Sequence, residues 1–309
     1  MEKDCERFDF TVTDEYEGYR IDKLISELID SHSRTYIKKL IDDKKVFCND
    51  KNVKASFTVR EGDVIAMEIP PVEVPKINPE DIPLDIIYED DDVIVVNKPK
   101  DMVVHPAAGH YEGTLVNAIM FHCKDNLSGI NGVLRPGIVH RIDKDTTGSV
   151  IICKNDMAHN KIAEQLKEHS INRVYHAICY GIIKEDELVI DAPIGRSIND
   201  RKKMAVVPGG KNAVTHVKVL QRFPEDNLTY IECRLETGRT HQIRVHMSHI
   251  GHPLLGDDVY ASGRKIKFKL HGQCLHAKTL GFMHPSTGDY VETDAPLPDY
   301  FSHLIEVLK

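Results

Sequence analysis

His140, Arg141, Asp143, Lys144 and Asp145 fill five of six consecutive positions, and Lys154 follows. An apolar approach at residues 137–139 leads in, and Gly148 turns the chain into residues 149–153, Ser-Val-Ile-Ile-Cys, which read as a buried strand. Charge is therefore concentrated in a loop held by two strands. Carboxylates this close to fixed cations are favoured in their ionised form, so a lowered pKa is expected for at least one of Asp143 and Asp145. An ionised carboxylate on a rigidly supported loop can act as a nucleophile. The same residues also suit a solvated loop whose surface ion pairs are worth little, and spacing alone leaves the two readings level.

Elements able to position such a loop lie on both sides of it. Residues 93–96 form an apolar run ending in Asn97-Lys98-Pro99, and Thr114 is placed to cap a helix with Leu115, Ala118 and Ile119 on one face. Beyond the loop, Asp156 is placed to cap a helix to about Glu168 with Met157, Ile162, Ala163 and Leu166 toward the core. Residues 173–180 read as a strand carrying Arg173, Tyr175 and Ala177 on one face. Strands at residues 213–220 and 228–235 precede Gly238, after which a helix to about Ile250 buries Ile243 and Met247 and turns His241, Arg244 and Ser248 to another side. His241, His246, His249 and His252 suggest a metal, but no Glu or Cys sits among them, and no metal site is expected. Gly209-Gly210-Lys211 lacks the remaining positions of a phosphate loop, so the basic stretch 195–211 reads as an RNA-facing hairpin.

The block His-Arg-Ile-Asp-Lys-Asp-Thr-Thr-Gly at residues 140–148 resembles the signature loop of the RluA-type pseudouridine synthases, which isomerise uridine within RNA. Asn97-Lys98-Pro99, Val104-His105-Pro106, Arg173-Val174-Tyr175-His176-Ala177, the stretch 236–246 and Leu254-Leu255-Gly256-Asp257 are similar to the same family in the same order. The resemblance implies that Asp143 is the catalytic aspartate, that Tyr175 lies against the target base, and that Arg244 pairs with Asp143 through paired hydrogen bonds. It also implies that Arg141 fills the gap left when the uridine leaves its stack. No cofactor is implied, because the reaction is an isomerisation without net redox change.

Toward the N-terminus, Ile21, Leu24, Ile25, Leu28 and Ile29 recur as one helical stripe, and Ser33 is placed to cap a second helix burying Ile37, Leu40 and Ile41. Short strands are expected at residues 46–48, 57–59 and 64–69. Residues 16–70 resemble the small RNA-binding domain named after ribosomal protein S4. The resemblance implies that Arg34, Lys38, Lys39, Lys44 and Lys45 contact the RNA backbone, where charge alone would equally allow a solvated face. Residues 70–83 hold five prolines and read as a linker, either flexible or packed down.

Composition is ordinary for a globular chain, and the net charge of −8 argues by itself against nucleic acid. Its distribution argues otherwise: residues 31–54 hold seven Lys or Arg against three Asp, and residues 196–222 hold seven against Asp200. The seven cysteines are scattered and never form Cys-x-x-Cys, which points to reduced thiols. No run reaches membrane-spanning length and residues 1–7 hold no apolar signal core, so a cytoplasmic protein is expected.

The expectation is an α+β protein in three parts. Residues 1–70 form the RNA-binding domain, residues 71–83 a Pro-rich linker, and residues 84–309 a catalytic domain with a mixed, largely antiparallel sheet flanked by helices. As a whole it is expected to act as a monomeric pseudouridine synthase on RNA, most specifically large-subunit ribosomal RNA or its precursor particle, with no membrane partner. A non-catalytic RNA-binding assembly factor and a metal-dependent hydrolase are the rival readings.

Overall fold

The computed structural model describes residues 6–29, 31–70, 77–106, 111–124, 126–130, 132, 135–198, 200, 203–264 and 267–309. The chain divides between Val74 and Pro75 into two compact units.

In the first unit, strand β1 (Glu6–Thr11) is followed by helices α1 (Ile21–Leu28) and α2 (Arg34–Asp42), then β2 (Val46–Cys48), β3 (Lys51–Asn52) and β4 (Val64–Ile69). The apolar stripe of α1 and that of α2 meet over the sheet: Ile21, Leu24, Ile25, Ile37, Leu40, Val46, Ile65 and Met67 are buried together. The Ser33 hydroxyl accepts the Tyr36 N–H and so caps α2. Two details differ from the sequence reading. Residues 6–11, where no element was expected, are an edge strand whose Phe8 and Phe10 pack on the core, and residues 57–59 make one bridge, Arg20 to Thr58, with no strand. In the first turn of α1 the fully buried Asp22 carboxylate accepts from Arg20 and from Arg34, the first residue of α2.

In the second unit, β5 (Ile86–Glu89) and β6 (Val93–Lys98) precede α3 (Leu115–Cys123), β7 (Thr147–Cys153) and α4 (Asp156–Lys167). Next come β8 (Asn172–Tyr180), β9 (Glu187–Asp191), the hairpin β10 (Ile194–Arg196) with β11 (Met204–Val206), β12 (Val214–Phe223) and β13 (Leu228–Leu235). The chain closes with α5 (Gln242–His249), β14 (Leu275–Met283), β15 (Tyr290–Asp294) and α6 (Asp299–Val307). The main sheet runs β5-β6-β7-β14-β8-β13-β12-β9, with β15 on β14. Its β7–β14 pair is parallel and the others are antiparallel.

Both faces of the sheet centre are covered, which explains the uninterrupted apolar runs at 93–96 and 150–153. Ile94, Val96, Val150 and Ile152 pack beneath α3 and α5, whereas Val93, Val95, Ile151 and Cys153 pack against Ala158 and Ile162 of α4. Gly148, read as a turn, lies inside β7 with φ 104°, and a Cβ there would strike the Ala277 carbonyl of the parallel neighbour β14. The cap of α4 is Asn155, not Asp156, whose carboxylate instead receives Ser128 and Gly129, and Met157 is exposed. Of the stretch read as a linker, residues 71–76 lie outside the described residues, while Ile77 is buried in the second unit and Glu80 accepts from the Gly113 N–H.

The hydrogen bonds from Arg20 and Arg34 outweigh burial and hold the Asp22 carboxyl below its ordinary value of 3.8. A depressed folded value means that this contribution is complete above the unfolded value and is lost as pH falls through the lower folded one. Asp22→Asn should therefore destabilise the full chain at pH 7 by about 2 kcal/mol. Its urea midpoint, followed by circular dichroism, should also fall less steeply than wild type between pH 5 and pH 3.

Candidate active site

The loop carrying Asp143 is fixed by backbone and side-chain bonds that do not involve its carboxylate. Ile138 bridges to Ile152 where an entering strand was expected, and the Thr146 N–H donates to the Asp143 carbonyl at 3.1 Å. Gln273 donates to Thr146 Oγ1 at 3.0 Å, and Thr147 Oγ1 meets His276 Nδ1 at 2.7 Å. Lys98 is wholly buried beneath the loop and its Nζ donates to three carbonyls, those of Pro99 and Met102 at 2.8 Å and Lys144 at 2.9 Å. Three acceptors match the three N–H bonds of an ammonium. Burial pulls its pKa down to about 7, against the raising effect of Asp145, Asp143 and Asp101.

The neighbouring cations do not crowd the aspartates as the spacing suggested. Lys144 pairs with Asp101 at 2.8 Å and Lys154 with Glu89 at 3.1 Å. Burial drives His140 down to about 3, so it is neutral, and its Nε2 accepts the Ile151 N–H. The ion partner of Asp143 comes from 101 positions away: Arg244 Nη1 donates to Asp143 Oδ2 at 2.8 Å.

Arg244 does not give Asp143 a paired fork. That fork goes to Asp257, with Nε to Oδ2 at 2.7 Å and Nη2 to Oδ1 at 3.0 Å, which leaves Nη1 alone for Asp143. Burial opposes the guanidinium charge, but the bonds and charge of Asp257, joined by Asp143, outweigh it and raise the Arg244 pKa. Asp257 is itself buried and accepts the Val259 and Tyr260 N–H groups, both at 3.0 Å. The Tyr260 ring lies under the guanidinium, 5.2 Å from its carbon.

Asp143 Oδ1 faces His241 Nε2 at 3.8 Å. Tyr260 Oη accepts the Met204 N–H at 3.0 Å and sits 2.9 Å from His241 Nδ1, an arrangement satisfied when the tyrosine gives its proton to Nδ1 and Nε2 carries the imidazole proton. Burial keeps His241 neutral, against the pull of Asp143. The residue is in the left-handed region, φ 57°, at the entry to α5, where the Gln242 side chain accepts from Thr237 and from the Arg239 N–H.

Tyr175, on β8 between Cys233 and Ala277, is 9% exposed and borders the same small pocket as Asp143, His241 and Arg244. Burial raises its hydroxyl pKa, Arg173 pulls it back, and Asp143 adds to the rise. The pocket, about 60 Å³, adjoins clefts of about 260 and 490 Å³, and Arg141 and Arg239 line all three. A carboxylate with one oxygen clamped, a buried phenol and the two cations Arg141 and Arg239 at the rim are suited to a polyanionic substrate from which one base has been turned inward.

Comparison with known proteins decides the family. Residues 92–249 match the family model for RNA pseudouridylate synthases, and residues 20–65 match that of the S4 domain. This chain belongs to the RNA pseudouridine synthases. It is 51% identical to the RNA pseudouridine synthase YlyB of Bacillus subtilis, over 98% of both chains. It is 47% identical to the ribosomal large subunit pseudouridine synthase D of Zymomonas mobilis, over 96% of each. Among solved structures, human RNA pseudouridylate synthase domain containing 1 superposes with a TM-score of 0.58 at 26% identity, covering 70% of this chain and 84% of that one. The synthase is therefore an isomerase acting on RNA, with a mixed, mostly antiparallel catalytic sheet and an N-terminal S4 domain.

The structure gathers Asp143, Tyr175, Arg244 and Arg141 around one pocket of this synthase. In the S4 unit Lys38, Lys39 and Lys44 are exposed, whereas Arg34 is tied to Asp22 and Lys45 to Glu68 at 3.2 Å. His246 and His252 are engaged by Ala192 and Tyr180 carbonyls. Glu89, His122 and Cys123 do approach one another, but Lys154 occupies Glu89 and burial pushes the Cys123 thiol up to about 11, so this group does not suit a metal. Arg201 and Lys202 of the basic hairpin lie outside the described residues.

Sequence reasoning missed Asp257, Lys98, Tyr260 and the pairing of His241 with Asp143. The available signals were the family-like blocks Asn97-Lys98-Pro99, which holds Lys98, and Leu254-Leu255-Gly256-Asp257, an acidic residue closing an apolar run. Asp257→Asn keeps an acceptor for Val259 and Tyr260 but removes the charge that anchors Arg244. It should lower kcat about 100-fold, near 2.7 kcal/mol, with KM changed less than about threefold. Release of tritium from RNA labelled at uridine C5 measures both.

Proposed function

We propose that this synthase converts specific uridines of large-subunit ribosomal RNA to pseudouridine, with Asp143 as the catalytic carboxylate. The observation that carries the reading is the single bond from Arg244 to Asp143 Oδ2, which leaves Oδ1 as the reacting oxygen in a pocket shared with Tyr175. Relatives named ribosomal large subunit pseudouridine synthase D, 47% identical in Zymomonas mobilis and 42% in Pseudomonas aeruginosa, support the choice of RNA. The work then falls in the cytoplasm, where that RNA is found. All the groups named come from one chain, which supports action as a monomer.

The uridine leaves its stack and enters the pocket, with Arg141 taking up the space it vacates. Asp143 Oδ1 either attacks the anomeric carbon, as the carboxylate of a retaining glycosidase does, or removes the neighbouring sugar proton to release uracil. In both routes the C–N bond breaks, the uracil rotates within the pocket, and a C–C bond forms from its C5. The proton lost from C5 must then leave while N1 gains one, and the Tyr175 hydroxyl, which burial keeps protonated, borders the pocket where it can relay that proton, its oxygen accepting one as its own is passed on. Arg244 keeps Asp143 oriented throughout. The S4 unit grips phosphates through Lys38, Lys39 and Lys44, with Arg34 and Lys45 beside them in ion pairs of their own.

Mapping by carbodiimide modification and primer extension on ribosomal and transfer RNA, from cells lacking the gene, tests this directly. A stop should vanish in the deletion, return with wild type and stay absent with Asp143→Asn, while the purified variant binds RNA within about threefold of wild type. A stop restored by Asp143→Asn would exclude Asp143, and a stop confined to transfer RNA would move the substrate. Replacing Lys38 and Lys39 with Ala should weaken RNA binding and reduce its salt slope by about two. An unchanged slope would return those residues to a solvated surface.

A further inference from the structure

Arg173 is 7% exposed, a burial that charged side chains seldom reach without a partner of opposite sign. Its Nη2 donates to the Glu236 carbonyl at 3.3 Å, and its buried Nε finds no acceptor. No ion pair joins it to any carboxylate among the described residues, and the nearby Glu236 carboxylate is turned to His216 at 2.6 Å. Withdrawing a guanidinium from water without a counter-charge is costly, so this site is incomplete as it stands.

Gly238 leaves room for the group. A Cβ at Gly238 would lie 2.7 Å from Arg173 Nη1, and Gly238 is not in the left-handed region, so room and not backbone freedom explains the glycine. The guanidinium borders the cleft of about 490 Å³ on the Tyr175 side of the site, with Arg141, Lys167, His169 and Arg239. Among the described residues no Asp or Glu lines that cleft, in a chain that carries 48 of them against 40 Lys and Arg. A buried guanidinium with free N–H groups amid further cations matches a phosphate oxygen pair.

We propose that this cleft is an anion subsite in which Arg173 binds a phosphodiester of the RNA strand beside the target uridine, an inference that rests on the reading of Asp143 and Tyr175 given above. The phosphate supplies the missing counter-charge, and the strand is thereby held so that the adjacent nucleotide faces Tyr175. Arg141, Lys167 and Arg239 line the path by which the strand enters.

Tritium release from large-subunit ribosomal RNA labelled at uridine C5 tests this with full-length protein. Arg173→Gln should raise KM about tenfold, the weight of one charged hydrogen bond, with kcat within about threefold. The slope of log(kcat/KM) against log[KCl] should become shallower by about one. Arg173→Lys should keep the wild-type slope. A fall in kcat with KM and slope unchanged would overturn the proposal and assign Arg173 to Tyr175 alone. Wild-type protein that releases no tritium would instead overturn the reading of the site as a whole. Inorganic sulfate tests the subsite apart from turnover and from the folding of any variant: wild-type crystals grown with it should hold an ion within about 3.5 Å of the Arg173 guanidinium, and an empty cleft would refute the subsite.

Discussion

Everything at the active site depends on how one guanidinium divides its donors. Arg244 is nearly buried, so its charge must be compensated, and Asp257 does this with two bonds on one edge. The remaining Nη1 then meets Asp143, which is only partly covered and keeps its second oxygen available. Had the fork been given to Asp143, both of its carboxylate oxygens would be engaged. Two carboxylates share one cation, one bound by two bonds and buried, the other by a single bond and partly exposed.

The rest of the second unit holds the two ends of that bridge. Lys98 gathers three carbonyls beneath the loop that carries Asp143, while Gln242, Thr237 and Thr215 fix the start of the helix that carries Arg244. Tyr260 ties this assembly to the hairpin β10–β11 through the Met204 N–H, and Lys203 adds a bond to the Val259 carbonyl. The hairpin read as facing RNA is thus two bonds from the His241 imidazole.

What could be read from the sequence follows a physical division. The helical stripe of α1, the Ser33 cap and the Thr114 cap are local, so residue spacing reveals them. Asp143 and Tyr175 stood out because each sits in a compact block similar to a family. Ion pairing was misjudged because proximity along the chain is not proximity in space: Lys144 and Lys154 turn to Asp101 and Glu89, while Arg244 arrives from another element. Lys98 and Asp257 passed unnoticed as site residues because their work is done through buried partners that no periodicity encodes. Residues 6–11 were passed over because an edge strand with two half-buried phenylalanines carries a weak pattern.

Strand β14 lies between β7 and β8 in space although it follows both by about a hundred residues or more, and β15 also pairs with it. During synthesis, therefore, the strand after the Asp143 loop and the strand bearing Tyr175 must wait with exposed edges until Leu275–Met283 emerges to join them. A sheet closed by such distant pairing forms late and slowly. Catalytic competence is thus withheld until most of the polypeptide has left the ribosome.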